Sequence, residues 1–526
     1  KPELLKQLAG GLNIAQVSDL TLGELSKWKR DVLAALPSDM KKMATSLFKE
    51  FDDNLRPLLE LGLDYLTLSR NGNTLSTGEL QRIQLARTLR TQTTGVLYIL
   101  DEPSIGLHPD NITGLLNVFK ELVAQGNSLV VVDHNVDIIK EADWIIEIGP
   151  GSGEKGGEIL TEGTPSQIAD NPQSKIGPYL NGTAVLKSHP IANEPASQEI
   201  TFEVKDYYNL KDVYGEIPVN RLTAITGFSG AGKTSLILDS LVPAIHAQAS
   251  GAKLPSQVRK LSSPLKEVVS VDAAPIGKTN RSTVATYTSI MDNLRKLFAA
   301  QPLAKEKHYT PSYFSYNNKQ GACPTCGGAG VVTLDIQFLP DMQQTCPTCG
   351  GSRYNEEVQK VKWQGYSIVD LLKLDVRAAM SVFKEVPKIA REFQLLDEVG
   401  LGYLHLGEST PSLSGGEAQR LKLVKHLNHN QSETLFVFDE PTIGLHPLDV
   451  KTLLAVMQQL LDRGATIITI THDLNLIINA DYMLDMGPRG GSNGGEIVAQ
   501  GNPLALIQKP ESLTSKYLAE YWSRFN

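Results

Sequence analysis

The stretch Gly62–Pro150 returns as Gly400–Pro488 with no insertion or deletion. LSTGELQR at Leu75–Arg82 becomes LSGGEAQR at Leu413–Arg420, and LDEPSIGLHP at Leu100–Pro109 becomes FDEPTIGLHP at Phe438–Pro447. His134 returns as His472, and the differences 413 − 75, 439 − 101 and 472 − 134 all equal 338. Solenoid units run about 20–50 residues, so a repeat this long is a duplicated domain. Each copy ends an apolar run in two acidic residues, Asp101-Glu102 and Asp439-Glu440, and each opens a helix with Ser and Glu. That combination suits phosphate and metal chemistry, installed twice.

A phosphate-binding loop occurs once. Gly227-Phe-Ser229-Gly230-Ala-Gly232-Lys233-Thr234 fits G-x-x-x-x-G-K-[ST]. Gly227, Gly230 and Gly232 let successive backbone N–H groups curl around anionic oxygens, and the helix that follows adds positive potential. Lys233 supplies a charge to the β- and γ-phosphates, and Thr234 offers its hydroxyl to Mg²⁺. Asp439 is expected to hold Mg²⁺, because adjacent carboxylates repel unless a cation joins them. Glu440 is placed to orient the attacking water as a general base, and His472 to sense the γ-phosphate. Subtracting 338 from Gly227 lands about 111 residues before Lys1, so the chain is expected to begin inside the first copy.

Ser76-x-x-Glu79 and Ser414-x-x-Glu417 read as capping boxes. Capping does not account for Gly78, or for Gly415 and Gly416, early in a helix, where glycine costs roughly 1 kcal/mol. A glycine there lets a phosphate approach the helix N-terminus.

Four cysteines fall within 27 residues, as Cys323-Pro-Thr-Cys326 and Cys346-Pro-Thr-Cys349. Two C-x-x-C pairs at this spacing predict a tetrahedral Zn²⁺ site, with two disulfides or four free thiols as the alternatives. Four sulfurs leave no open position for water, so the zinc is read as structural.

Composition limits the rest. At 526 residues, 41% hydrophobic and 21% charged, the chain is expected to form two to four globular domains. No apolar run of about 18 residues predicts a membrane span, no signal peptide is evident, and the location is expected to be cytoplasmic. A net charge of −8 argues against a protein that coats nucleic acid, though a local basic groove is compatible with it. The expected class is α/β, with two cassette cores of the P-loop type, helical signature subdomains and a zinc-binding insertion. The boundaries are a helical subdomain at 1–74, the rest of the first core at 75–181, a turn-rich linker at 182–200, the phosphate-loop segment at 201–242, an insertion at 243–412, and the end of the second core at 413–526. Val96–Leu100 and Leu129–Val132 read as buried parallel strands.

These motifs resemble the ATP-binding-cassette family. The resemblance implies that the signature of one core closes over the phosphate loop of the other. A complete site would then join Gly227–Thr234, Asp439, Glu440 and His472 to Ser76 and Gly78. A second would use Ser414, Gly416, Asp101, Glu102 and His134 with a phosphate loop this chain does not carry. CPTCGGAG…CPTCGGSRYNEE, VDAAPIGKTNRSTVATYT at Val271–Thr288 and DEPSIGLHP are similar to the UvrA family, from about residue 50 to about 510. That resemblance implies a homodimeric ATPase without nuclease activity of its own. It binds damaged duplex DNA in nucleotide excision repair and hands the lesion to a UvrB-like helicase; the insertion that docks the helicase has no counterpart here. Departures point to a divergent paralogue: Ala273 stands where the family has Gln, Lys278 where it has Arg, Thr77 where it has Gly, and His134 lies in Asp-His-Asn. The cysteine hairpin has no Lys or Arg between Cys326 and Cys346, which leaves shape sensing through Phe338 and Leu339. Lys278, Arg281, Arg353, Lys360 and Lys362 are the better phosphate candidates. A soluble cassette ATPase for drug self-resistance and a nucleotide-gated scaffold with little turnover are the alternatives.

Overall fold

A computed structural model describes residues 8–525, apart from 76, 91–92, 152–155, 185–195, 273, 275, 278, 335–341, 428, 444 and 509–511. Ser76, Ala273, Lys278, Phe338 and Leu339 therefore lie outside the described residues. The chain divides into two compact units. The first comprises Lys1–Glu147, Ile159–Ser270 and Asn430–Asn526, and the second Ile148–Glu158 and Val271–His429.

The second copy's sheet forms the centre of the first unit. Its strands run in the order Glu496–Gly501, Tyr482–Gly487, Leu222–Gly227, Thr466–Ile470, Thr434–Asp439 and Glu267–Val271. The strand Leu222–Gly227 pairs in parallel with both Thr466–Ile470 and Tyr482–Gly487. Every residue of TLFVF at Thr434–Phe438, TIITI at Thr466–Ile470 and LTAITG at Leu222–Gly227 is buried, as a parallel sheet covered on both faces requires. Leu435, Val437, Ile468, Ile470 and Leu484 join Leu236, Ile237 and Leu241, from the helical run after the phosphate loop, in one core. Val258 and Leu265 belong to that core. The segment 243–270 thus packs with the phosphate loop in the first unit, while Val271–His429 falls in the second.

The first copy repeats this register. Leu97–Asp101 pairs in parallel with Ser128–Val132, Leu97 opposite Ser128, as Leu435 stands opposite Thr466. One face packs on the helix Pro109–Ala124 through Leu115, Val118, Phe119 and Leu122. The other face is open: Leu97, Ile99, Val130, Val132 and Ile146 are 58%, 70%, 48%, 49% and 56% exposed. Adding 338 to each gives Leu435, Val437, Ile468, Ile470 and Leu484, the residues that the phosphate-loop helix covers in copy two. These strands are parallel as the sequence predicts but are buried on one face only. The reason is that no described segment supplies a helix like Lys233–Ser250 to this copy.

Helices Leu22–Ala35 and Ser38–Glu60 share a core that includes Leu22, Leu25 and Leu55. Of the linker, 185–195 lies outside the described residues, and Glu199 already begins a strand. The second unit encloses Phe298, Phe314, Tyr316, Tyr354, Phe383 and Phe393, all fully buried.

Candidate composite nucleotide site

The three central parallel strands all end at one edge, so the loops after them meet. Gly227 turns the chain out of its strand at φ 126°, and an added Cβ would stand 2.0 Å from the Met486 carbonyl oxygen. Gly232 has φ 102°, and its Cβ would meet Leu210 at 2.8 Å. Only glycine fits either place. The helix then starts at Lys233.

Lys233 is buried. Its Nζ donates to the carbonyls of Gly227 at 2.8 Å and Phe228 at 2.9 Å, and lies 3.0 Å from His472 Nε2. Glu440 Oε1 lies 3.4 Å from the same His472 nitrogen. Burial pushes the Glu440 carboxyl up to about 8; Lys233 opposes this shift and Asp439 adds to it. Burial pulls Lys233 down to about 8 against the attraction of Glu440, Asp485 and Asp439. Burial, with Lys233 next, holds His472 well below the usual imidazole range, so the ring is neutral. A charged Lys233 is the donor, so Nε2 accepts and the ring proton sits on Nδ1, a buried atom without a partner.

Glu440 adopts φ 45° and Glu102 φ 46°, a left-handed conformation that costs of order 1–3 kcal/mol for a residue with a side chain. In each copy the neighbouring strand holds it there. Glu440 N–H donates to Ile470 O at 2.8 Å and Glu102 N–H to Val132 O at 2.7 Å. Both glutamates are thereby turned toward the histidine that follows that strand.

Copy one reaches into the phosphate loop of copy two. Ser229 Oγ donates to Gly106 O at 2.9 Å. His108 stacks on Phe228 with centroids 4.8 Å apart and meets His472 edge-on at 5.8 Å. His134 meets His446 edge-on at 5.9 Å, and 108 + 338 = 446, so the two contacts are related by a local pseudo-twofold. Burial, reinforced by Lys233, depresses His108 to about 3 and keeps it neutral, with Nδ1 accepting the Asp110 N–H at 3.2 Å. Sequence reasoning passed over His108 and Tyr65. Both recur at the 338 offset, as His446 and Tyr403, and that recurrence was the available signal.

Thr234 is exposed beside the loop, while Ser229 and Lys233 are buried. An added Cβ on Gly78 would stand 2.9 Å from Ile105 O, so packing against the acidic loop of its own copy also demands a glycine. In the first copy Asp101 is exposed, and Glu102 Oε1 lies 3.7 Å from His134 Nε2. Ser414 and Gly416 belong to the second unit, where the expected capping box is present. Ser414 N–H donates to Glu417 Oε2 at 2.7 Å, and Glu417 N–H to Ser414 Oγ at 3.4 Å.

The four cysteine sulfurs gather within 4.8 Å of one another. Cys323 and Cys346 sulfurs are 3.9 Å apart, and those of Cys326 and Cys349 3.7 Å. A disulfide needs about 2.05 Å, whereas Zn–S bonds of about 2.3 Å in a tetrahedron separate sulfurs by roughly 3.8 Å. The cluster is therefore compatible with zinc. Gly328 has φ 87°, and its Cβ would lie 1.8 Å from Tyr316 O. With Cys323→Ser we expect metal content to fall from about one Zn²⁺ per chain to near zero while ATP binding survives. Metal analysis of the purified wild type that finds no zinc would end this reading.

Among the basic candidates, Lys360 is paired with Glu357, and Lys362 with Asp370 at 3.0 Å. Arg281 donates to Gly327 O at 3.0 Å, and the Arg353 guanidinium lies 5.3 Å from the Tyr316 ring centroid. These contacts all lie within the second unit. Among the described residues no helix is long and apolar enough to cross a membrane.

No protein-family profile matches the chain. Two relatives named UvrABC system protein A, from Mesorhizobium japonicum and Thermus thermophilus, are 42% and 43% identical over 529 and 525 residues. The matches cover 100% and 99% of this chain and 54% and 55% of those proteins. The crystal structure of UvrA2 from Deinococcus radiodurans superposes with a TM-score of 0.89 at 40% identity, covering 99% of this chain and 65% of that one. The chain spans about half the length of the two UvrABC system proteins.

Proposed function

Since this chain belongs to the UvrA-like branch of the ATP-binding-cassette proteins, we propose that it is an ATPase acting in DNA damage recognition during nucleotide excision repair. The observation that carries the proposal is the convergence of Lys233, Glu440 and His472 within hydrogen-bonding or near-contact distance, with Ser229 and Phe228 touched by copy one. ATP would lie along Gly227–Thr234, with Lys233 moving from the loop carbonyls to the β- and γ-phosphates. Thr234 and Asp439 would hold Mg²⁺, which when bound neutralises phosphate charge. Glu440 takes a proton from water at its carboxylate, and His472 and Lys233 fix where that carboxylate points. Ser76 and Gly78 would cap the nucleotide from copy one. Asp101, Glu102 and His134 would serve the second site, and Ser414 and Gly416 would begin the second signature helix.

The open face of copy one supports a further partner, a segment homologous to residues 199–270. It would bring the second phosphate loop and cover Leu97, Ile99, Val130 and Val132. Zn²⁺ held by the four cysteines is structural in this reading. Duplex DNA, a second copy of the protein and a UvrB-like helicase are the proposed macromolecular partners, in the cytoplasm. Assay of MgATP hydrolysis with and without duplex DNA carrying a bulky adduct tests the proposal. We expect turnover that the duplex alters severalfold. Turnover indifferent to DNA but raised by a free intercalating drug would transfer the chain to the drug-resistance class.

A further inference from the structure

The two signature segments share a contact that capping does not require. Tyr65 Oη donates to Glu79 Oε1 at 2.5 Å, and Tyr403 Oη to Glu417 Oε1 at 2.5 Å. The tyrosines are 338 residues apart, as are the glutamates. In the second copy the glutamate is divided between two tasks. Oε1 takes the tyrosine hydroxyl, while Oε2 takes the Ser414 N–H at 2.7 Å. A hydroxyl on one oxygen fixes the torsion that places the other, so the tyrosine sets the serine at the helix start.

In the first copy the same tyrosine also touches the phosphate loop. An ideal Cβ on Gly230 would stand 2.9 Å from the Tyr65 ring, and one on Gly491 3.3 Å from Tyr65 Cβ. Gly491 N–H donates to Gly230 O at 3.0 Å, so ring, loop and the 490–491 turn form one stack. Arg70 closes the far side, 3.4 Å from Glu79 Oε2. Burial raises the Tyr65 phenol, with Glu79 adding to the shift, so it stays a donor. The geometry points to Tyr65 as a positioning residue: its ring registers where the phosphate loop sits, and its hydroxyl passes that to Glu79 and the start of the signature helix.

This rests on the nucleotide reading above. Tyr65→Phe keeps the ring and removes the hydroxyl, with its links to Glu79 and Arg82. We expect kcat for ATP to fall about tenfold, the loss of one hydrogen bond to a charged acceptor, with KM changed less than about threefold. Tyr65→Phe combined with Glu79→Gln should be no slower than the slower single variant. In a Glu440→Gln background, MgATP should protect the amides of Thr77–Arg90 from hydrogen exchange, and adding Tyr65→Phe should abolish that protection without loss of ATP affinity. Unchanged kcat, additive effects, or protection that survives Tyr65→Phe while ATP is bound would overturn this role alone. Failure of the Glu440→Gln protein itself to bind ATP would remove the nucleotide reading, and this role with it.

Discussion

Lys233→Ala should abolish ATP binding at the complete site. The ammonium is the only charge on the phosphate loop, and it is buried against the Gly227 and Phe228 carbonyls at 2.8 and 2.9 Å. Truncating one partner of a buried charged pair costs about 2–5 kcal/mol, which is about 30-fold to several thousandfold in affinity. Equilibrium binding of a fluorescent ATP analogue measures this directly. The substitution also leaves two carbonyls without their donor, so a thermal melt should accompany it, and a modest fall in Tm is expected. Tight binding that persists in a folded Lys233→Ala protein would remove the loop from the site. A fold that fails would send the test to Lys233→Met, which keeps the packing volume and discards the charge.

Glu440→Gln should leave ATP bound and cut turnover by about 10²–10⁴-fold, the usual contribution of a positioned general base. The pH profile sharpens the test. Glu440 must be ionised to take a proton, and burial holds it up to about 8, so kcat/KM should rise as pH climbs toward that value. Lys233 must be protonated to hold phosphate, and burial brings it down to about 8, so kcat/KM should fall above it. The expected profile is a narrow bell centred near pH 8. In Glu440→Gln the rising limb should vanish. Equal slow turnover in wild type and variant would place the chain with scaffolds that bind nucleotide without using it.

The duplication made much of this visible before any fold was known. A fixed offset of 338 identifies Glu102 with Glu440 and His134 with His472, and the structure gives both glutamates the same φ within a degree, 46° and 45°. The cysteine spacing likewise delivers four sulfurs to one point. Elsewhere the pattern misled. Val96–Leu100 and Leu129–Val132 read as buried because apolar content in a parallel strand reports what the strand can bury, not whether a partner covers it. Their open face is a property of neighbours about which these residues carry no information. Lys360 and Lys362 read as phosphate candidates, and that Glu357 and Asp370 stand beside them is recognised only once the helices are placed. The segment 243–270 likewise has no local mark of belonging to the phosphate-loop core, and the burial of Val258 and Leu265 places it there.

The sequence by itself determined which residues are the candidates for chemistry, because glycine at the positive-φ turns of a phosphate loop, paired acids after a strand and C-x-x-C pairs are local demands of geometry and charge. Tertiary structure alone decided who meets whom. His108 on Phe228, Gly106 on Ser229 and Tyr65 on Gly230 join residues more than a hundred positions apart. Such contacts depend on how two copies pack face to face, and packing is set by the whole buried surface rather than by any segment of it.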